Sequence, residues 1–190
     1  KSIALPGCIV KAPTLTEDDY RNLVYAKEFG VTGIMQPFVR STEDLCVVRN
    51  ALNENGLEDC KIYAKIENKD GVEQLESFLP YCDEIIIARG DLANSVGIEN
   101  IASCQHHIEQ VLKKNKFPYM VVTEMLHSMC ENKTPTRAEV SDIYYAVYNG
   151  ASSIMLTAET AAGKYPIEAM HYFTSIAKVA LKDRGQRTEF

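Results

Sequence analysis

The sequence predicts an α/β protein built on parallel strands, and three observations carry that prediction. Short apolar, β-branched runs recur at 33–35, 61–66, 84–88, 119–122 and 153–156. A segment with helical spacing of apolar residues follows each of them. The runs themselves (EIIIA, YMVV, SIML) are nearly unbroken in apolar character, as in strands covered on both faces by helices. Five such βα units without a Gly/Ser- or Pro-rich break predict a single domain over 1–190. Units of this kind build either a doubly wound sheet or a (β/α) barrel, and both place their chemistry at the carboxyl ends of the strands.

The helices carry their own punctuation. Thr16 suits a cap for a helix whose inward face would be Tyr20, Leu23 and Val24, with Gly30 at its left-handed end. Thr42 opens a second, with Leu45, Val48 and Leu52 in register and Gly56 as its stop. Ile101, Cys104, Ile108, Val111 and Leu112 keep the same spacing in a third. Thr136 and Glu139 form a capping box, in which each side chain satisfies a backbone N–H left open at a helix start, and Gly150 closes that helix. Pro166 fits the first turn of a last helix facing inward through Ile167, Met170, Phe173 and Ile176.

Composition sets the outer bounds. Over 190 residues, 46% hydrophobic and 24% charged side chains exclude disordered and collagen-like classes. A formal charge of -6 argues against nucleic acid or an anionic membrane surface as the main partner. No apolar run approaches the ~20 residues of a membrane span, and the opening KSIALPG lacks a signal-peptide stretch, so a cytoplasmic protein is expected. The six cysteines (Cys8, Cys46, Cys60, Cys82, Cys104, Cys130) contain no CxxC pair and read as structural thiols of a reducing compartment. The four histidines show no zinc-ligand spacing.

The ends of the apolar runs are where polar groups collect. Lys65 and Glu67 lie two apart at the end of the second run, so an ammonium and a carboxylate project from one face. The pair alone also reads as a salt bridge. The third run passes directly into Arg89-Gly90-Asp91, which brings a second carboxylate one strand over, behind a glycine that lets backbone approach a ligand. Hard oxygen donors beside a lysine suit Mg²⁺ or Mn²⁺, with waters and substrate oxygens completing the shell. Thr123 and Glu124 end the fourth run, Thr157 and Glu159 the fifth; the threonines also read as caps of the following loops. No GxxxxGK[ST] or GxGxxG pattern exists, so any phosphate would be held by side chains and metal.

KIENKDGVEQL, IIIARGDLA, VTEMLHSM, PTRAEVSDIYYAVYNGA and IMLTAETAAGKYPIEA resemble, in order and spacing, the successive motifs of pyruvate kinase, and ALPGCIVKAPTLTEDD is similar to the segment after that family's lid domain. The resemblance runs from Leu5 to about Ala180. It implies a partial parallel (β/α)₈ barrel of the TIM type, here its last five βα units, with the lid and C-terminal regulatory domains absent. It also implies phosphoryl transfer from phosphoenolpyruvate to ADP, giving pyruvate and ATP, with Mg²⁺ or Mn²⁺ and a K⁺ whose ligands lie outside this chain. On this resemblance Lys65 stabilises the phosphoryl group in flight, and Glu67 and Asp91 hold the divalent metal. Arg89, Gly90 and Asp91 receive the substrate carboxylate, chiefly through backbone N–H groups, with Thr123 beside the reacting carbon. Thr157 and Glu159 stand near proton delivery, and Arg40 falls in the family's SF[IV]R stretch.

Several positions depart from the family pattern: Pro37 for a small or hydroxyl residue, Ala93 for glycine, residues 94–97 for a VEIP-like stretch, Glu124 for glutamine, and Thr157-Ala158 for Ser-Gly. Without the earlier strands and the lid, little kinase activity is expected of the chain alone, which predicts a homo-oligomer or the remainder of a longer chain as its complement. Two other readings stand beside this one. A divergent metal-dependent lyase or aldolase acting on pyruvate or its enolate would turn over an oxo-acid without ADP. A silent, pyruvate-kinase-like binding or assembly module would fail to bind Mn²⁺ with an enolate mimic.

Overall fold

The computed structural model describes residues 12–187; Cys8 and the rest of the ALPGCIVK stretch lie outside them. The chain's contacts gather in two compact units, residues 1–117 and 118–190. The first contains α1 (Glu17–Ala26), β1 (Gly33–Gln36), α2 (Thr42–Glu54), β2 (Lys61–Ile66), two short helices α3 (Lys69–Glu73) and α4 (Leu75–Phe78), β3 (Glu84–Ala88), α5 (Arg89–Val96) and α6 (Ile101–Lys114). The second contains β4 (Tyr119–Val122), α7 (Arg137–Tyr148), β5 (Ser153–Met155), the single-turn α8 (Ala158–Ala161) and α9 (Pro166–Arg187). The expected alternation of strand and helix is therefore present, and the strand bounds depart from the expected runs by at most one residue.

Within each unit the strands pair in parallel. In the first unit Gly33 to Gln36 register with Lys61 to Ala64, and Tyr63 to Ile66 with Glu84 to Ile87. In the second, Met120 to Val122 register with Ser153 to Met155. Consecutive parallel strands joined by helices are the βα arrangement that the apolar runs predict. The expectation that every strand is covered on both faces holds for β3 and largely for β4, and is corrected for the others. In β2 only Ile62, Ala64 and Ile66 are buried, because the alternate positions carry Lys61, Tyr63 and Lys65. No residue of β5 is fully buried, and β1 buries only Gln36.

Helix ends follow the expected chemistry. Thr16 and Asp19 form a capping box, as do Thr136 and Glu139. Gly30, Gly56 and Gly150 take positive φ at the three expected stops. Thr42 opens α2 as expected, and Ser41 before it makes no side-chain capping bond.

Helix phase is where the sequence reading needs correction. In α1 the face expected to be inward is only partly covered: Leu23 is half-buried, but Tyr20 is 43% and Val24 65% exposed, and only Ala26 is buried. Periodicity marks an apolar face without supplying what covers it. In α9 Ile167 and Met170 are exposed, and the covered stripe is Ala169, Phe173, Ile176 and Ala180, a shift around the helix that lets two alanines admit close packing. In α6 the buried positions are Ile108, Leu112 and, unforeseen, Glu109, whose carboxylate accepts a hydrogen bond from the Gln105 amide at 2.9 Å. The cysteines are free among the described residues, and only Cys60 is buried; Cys46 is exposed and lines a shallow cavity with Arg49 and Cys82. No helix among the described residues is long and apolar enough to cross a membrane.

Candidate active site

The end of β2 is built around a buried carboxylate. Ile62, Ala64 and Ile66 point into the core, so the two-residue period turns Lys65 and Glu67 to the other face. The Lys65 ammonium lies 2.7 Å from Glu67 Oε1, and the Glu67 side chain is only 2% exposed. Its second oxygen, Oε2, accepts the backbone N–H of Phe38 at 2.8 Å. Phe38 stands at φ 51°, in the left-handed region that non-glycine residues seldom occupy. That turn is held from both sides: the Val39 N–H donates to the Lys65 carbonyl at 3.3 Å, and the Asn68 amide donates to the Val39 carbonyl at 3.3 Å. Gly71 is required beneath it, since a Cβ there would lie 2.9 Å from the Val39 oxygen.

Ile66 registers with Ile87, so Glu67 leaves β2 beside the point where β3 passes into Arg89-Gly90-Asp91. These three residues are the first turn of α5, with no intervening loop. Arg89 and Gly90 are half-buried, and Asp91 is exposed in the first helical turn, where a carboxylate suits the positive end of the helix dipole. The variant stretch 94–97 extends α5 to Val96 and ends on Gly97 at φ 92°. Within it Ser95 Oγ accepts the Lys69 backbone N–H at 3.1 Å, tying α5 to the corner that follows Glu67.

Arg40 sits past the end of β1, against Asp44. Its guanidinium donates to both Asp44 oxygens at 2.8 and 3.1 Å, its backbone N–H donates to Oδ2 at 2.9 Å, and the Thr14 hydroxyl donates to the same carboxylate. Burial opposes ionisation of Asp44, but the donors from Arg40 and Thr14 outweigh it and take the carboxyl down to about 2. In the expected site stretch, Arg40 thus serves the fold of the β1–α2 corner.

The second unit carries the remaining residues. Thr123 and Glu124 follow β4 at φ 78° and 55°, two successive left-handed positions, with Thr123 half-buried and Glu124 exposed. A β-branched residue there marks strain. Thr157 after β5 is also outside the regular regions, at φ −127°, ψ −97°, and makes no side-chain cap. Glu159 is 1% exposed. Its Oε2 accepts the Thr157 N–H at 2.7 Å and the Thr157 hydroxyl at 3.3 Å, and its Oε1 accepts the Leu126 N–H at 3.2 Å. Beyond the strand ends, Glu139 gathers Ser128 and Thr136: burial works against its charge, but their N–H and hydroxyl donors hold the carboxyl below its usual range.

The structure therefore pairs Lys65 with Glu67 and Thr157 with Glu159. The backbone donors Phe38 and Leu126 escaped sequence reasoning, since a backbone N–H is present at every residue but proline and leaves no mark in composition; the Ser95 hydroxyl, an acceptor for the Lys69 N–H, escaped it as well. The i,i+4 spacing of Arg40 and Asp44 was the available signal for that cluster. Among the described residues no three His, Cys, Asp or Glu side chains converge as a metal set. The hard oxygens of Glu67 and Asp91 are of the kind that Mg²⁺ or Mn²⁺ takes from protein while keeping several waters.

Parallel βα units with polar groups at the strand ends define an α/β protein of the doubly wound or barrel class, and the comparison with known families decides between them. The family profile described as pyruvate kinase, barrel domain, matches residues 1–170. The chain is 42% identical over 184 residues to a pyruvate kinase of Borreliella burgdorferi, an alignment covering 97% of this chain and 39% of that protein. It is 37% identical over 180 residues to a pyruvate kinase of Clostridium acetobutylicum (95% and 37%), and 41% identical over 176 residues to pyruvate kinase 1 of Trypanosoma brucei brucei (93% and 35%). The chain belongs to the pyruvate kinase family, and its βα units are part of that family's barrel domain. It spans about two fifths of the length of these relatives.

Proposed function

We propose that this chain is a catalytic barrel segment of a cytosolic, glycolytic pyruvate kinase. The longer protein transfers the phosphoryl group of phosphoenolpyruvate to ADP and protonates the enolate to give pyruvate. The observation that carries the reading is the Lys65–Glu67 pair at the end of β2, beside the Arg89-Gly90-Asp91 turn that opens α5.

In this reading Glu67 and Asp91 would hold a divalent cation, whose contribution is Lewis-acid stabilisation of negative charge on substrate oxygens. Lys65 meets the phosphoryl group as a point charge, drawn from Glu67 when an anion is bound. Arg89, Gly90 and Asp91 receive the substrate carboxylate, favoured by the N–H groups of the first turn of α5. Thr123 stands beside the reacting carbon, and Thr157 and Glu159 at the hydroxyl and carboxylate positions nearest proton delivery. A K⁺ belongs to parts of the relatives this chain does not span. Alone, the chain has little activity, because a transferred phosphoryl group needs an aligned acceptor and exclusion of water. The chain completes its site within a longer polypeptide or a homo-oligomer.

The test is a coupled assay for pyruvate on the isolated chain and on the natural gene product, with Mn²⁺ binding in the presence of oxalate followed on both. The expected result is Mn²⁺–oxalate binding by both, with ADP-dependent turnover by the longer product only. Robust turnover by the 190-residue chain would overturn its dependence on a complement; failure of either protein to bind Mn²⁺ with oxalate would overturn the site.

A further inference from the structure

A carboxylate taken out of water is tolerated only when its lone pairs are filled. Glu159, 1% exposed, fills them with donors from the ends of two strands: the Leu126 N–H after β4, and the N–H and hydroxyl of Thr157 after β5. Two of the three donors are backbone, so the side chain works as a strut between chain segments.

The segments it joins are those held in unusual conformations. Leu126 lies two residues beyond the left-handed pair Thr123 and Glu124, and Thr157 has its own irregular backbone. Such conformations persist only where surrounding contacts over-determine them. A second tie lies a few residues on, where the Lys164 N–H donates to the Cys130 carbonyl at 2.8 Å. Between the two ties the chain folds so tightly that a Cβ on Gly163 would lie 2.5 Å from the Glu159 carbonyl oxygen. Residues 157–164 are thus fastened to 126–130 at both ends.

We propose that Glu159 is a positioning residue: its buried carboxylate fixes the backbone at Thr157 and, through Leu126, the Thr123–Glu124 turn, and it does not itself exchange a proton with substrate. The inference rests on reading these strand ends as part of the candidate site. It assigns the carboxylate a role through Thr157 and Thr123 rather than beside them.

Residue-resolved amide exchange of the 190-residue chain tests it without substrate, so that loss of Mn²⁺–oxalate binding, which would remove the site reading, is seen separately. Glu159→Ala should speed exchange at Leu126 and Thr157 by about tenfold or more. Glu159→Gln keeps one accepting oxygen but turns an NH₂ group toward the other strand end, so it should free one of these amides and leave the other protected. If the alanine variant loses protection throughout β4 and β5, the glutamine variant decides. Unchanged protection of both amides in the folded glutamine variant would overturn the proposal. In the natural gene product Glu159→Gln should lower kcat with the pH profile retained; loss of one limb of that profile would mark a proton-transfer group and overturn it as well.

Discussion

The carboxylate of Glu67 accepts on one oxygen from the Lys65 ammonium at 2.7 Å and on the other from the Phe38 N–H at 2.8 Å. Removing Lys65 leaves a buried anion with a single donor. Lys65→Met should therefore destabilise the fold by about 2 kcal/mol, and adding Glu67→Gln to it should recover part of that loss. Urea unfolding of the single and double variants measures the coupling; equal additive losses would show that the ion pair contributes nothing.

Glu67 and Asp91 are expected to bind one divalent cation together. Glu67→Gln and Asp91→Asn should each weaken Mn²⁺ binding by roughly tenfold or more, with Glu124→Gln leaving it within about twofold. Electron paramagnetic resonance of free Mn²⁺ reads this directly. Unaltered affinity in both carboxylate variants would place the cation elsewhere.

Acid should weaken the β1–α2 corner. The folded carboxyl of Asp44, at about 2, lies below its ordinary value, so its contribution is complete above about pH 4 and is lost as pH falls toward 2. The contribution is about 1–2 kcal/mol, discounted because the Arg40 side of the pair is partly open to water. Wild type should exceed Asp44→Asn by that margin at pH 7 and converge with it near pH 2, as followed by chemical denaturation.

Lys116 follows α6 at φ 51°, with its N–H on the Lys113 carbonyl and the Phe117 N–H on the Leu112 carbonyl. This is the left-handed helix end at which glycine is preferred. Lys116→Gly should stabilise by about 0.5–1 kcal/mol, read as a raised thermal midpoint, whereas Lys116→Val should lower it.

What the sequence conveys and what it withholds follow from the kind of signal each residue carries. β3 and β4 are bounded by their apolar runs to the residue, because burial of a strand selects composition directly. Thr136 and Glu139 are legible because a capping box needs particular side chains three apart. The covered side of α9 is not: Ala169 and Ala180 are buried while Ile167 lies 78% exposed, and small residues that permit close approach look unremarked in a hydropathy pattern. Lys65 and Glu67 could be paired by extending the two-residue period of β2 one step past its end. Glu159 could be singled out by position but not by partner, since Leu126 reaches it from 33 residues away through a main-chain group.

Phe38 contributes to Glu67 an atom common to every amino acid but one. Exchanging its ring for an unbranched side chain, or for glycine, asparagine or aspartate, leaves that donor in place, whereas a β-branched residue would strain the left-handed turn at φ 51° and proline would abolish the contact. The anchoring of this strand end thereby depends on the shape of the main chain at residue 38 and not on the aromatic ring it carries.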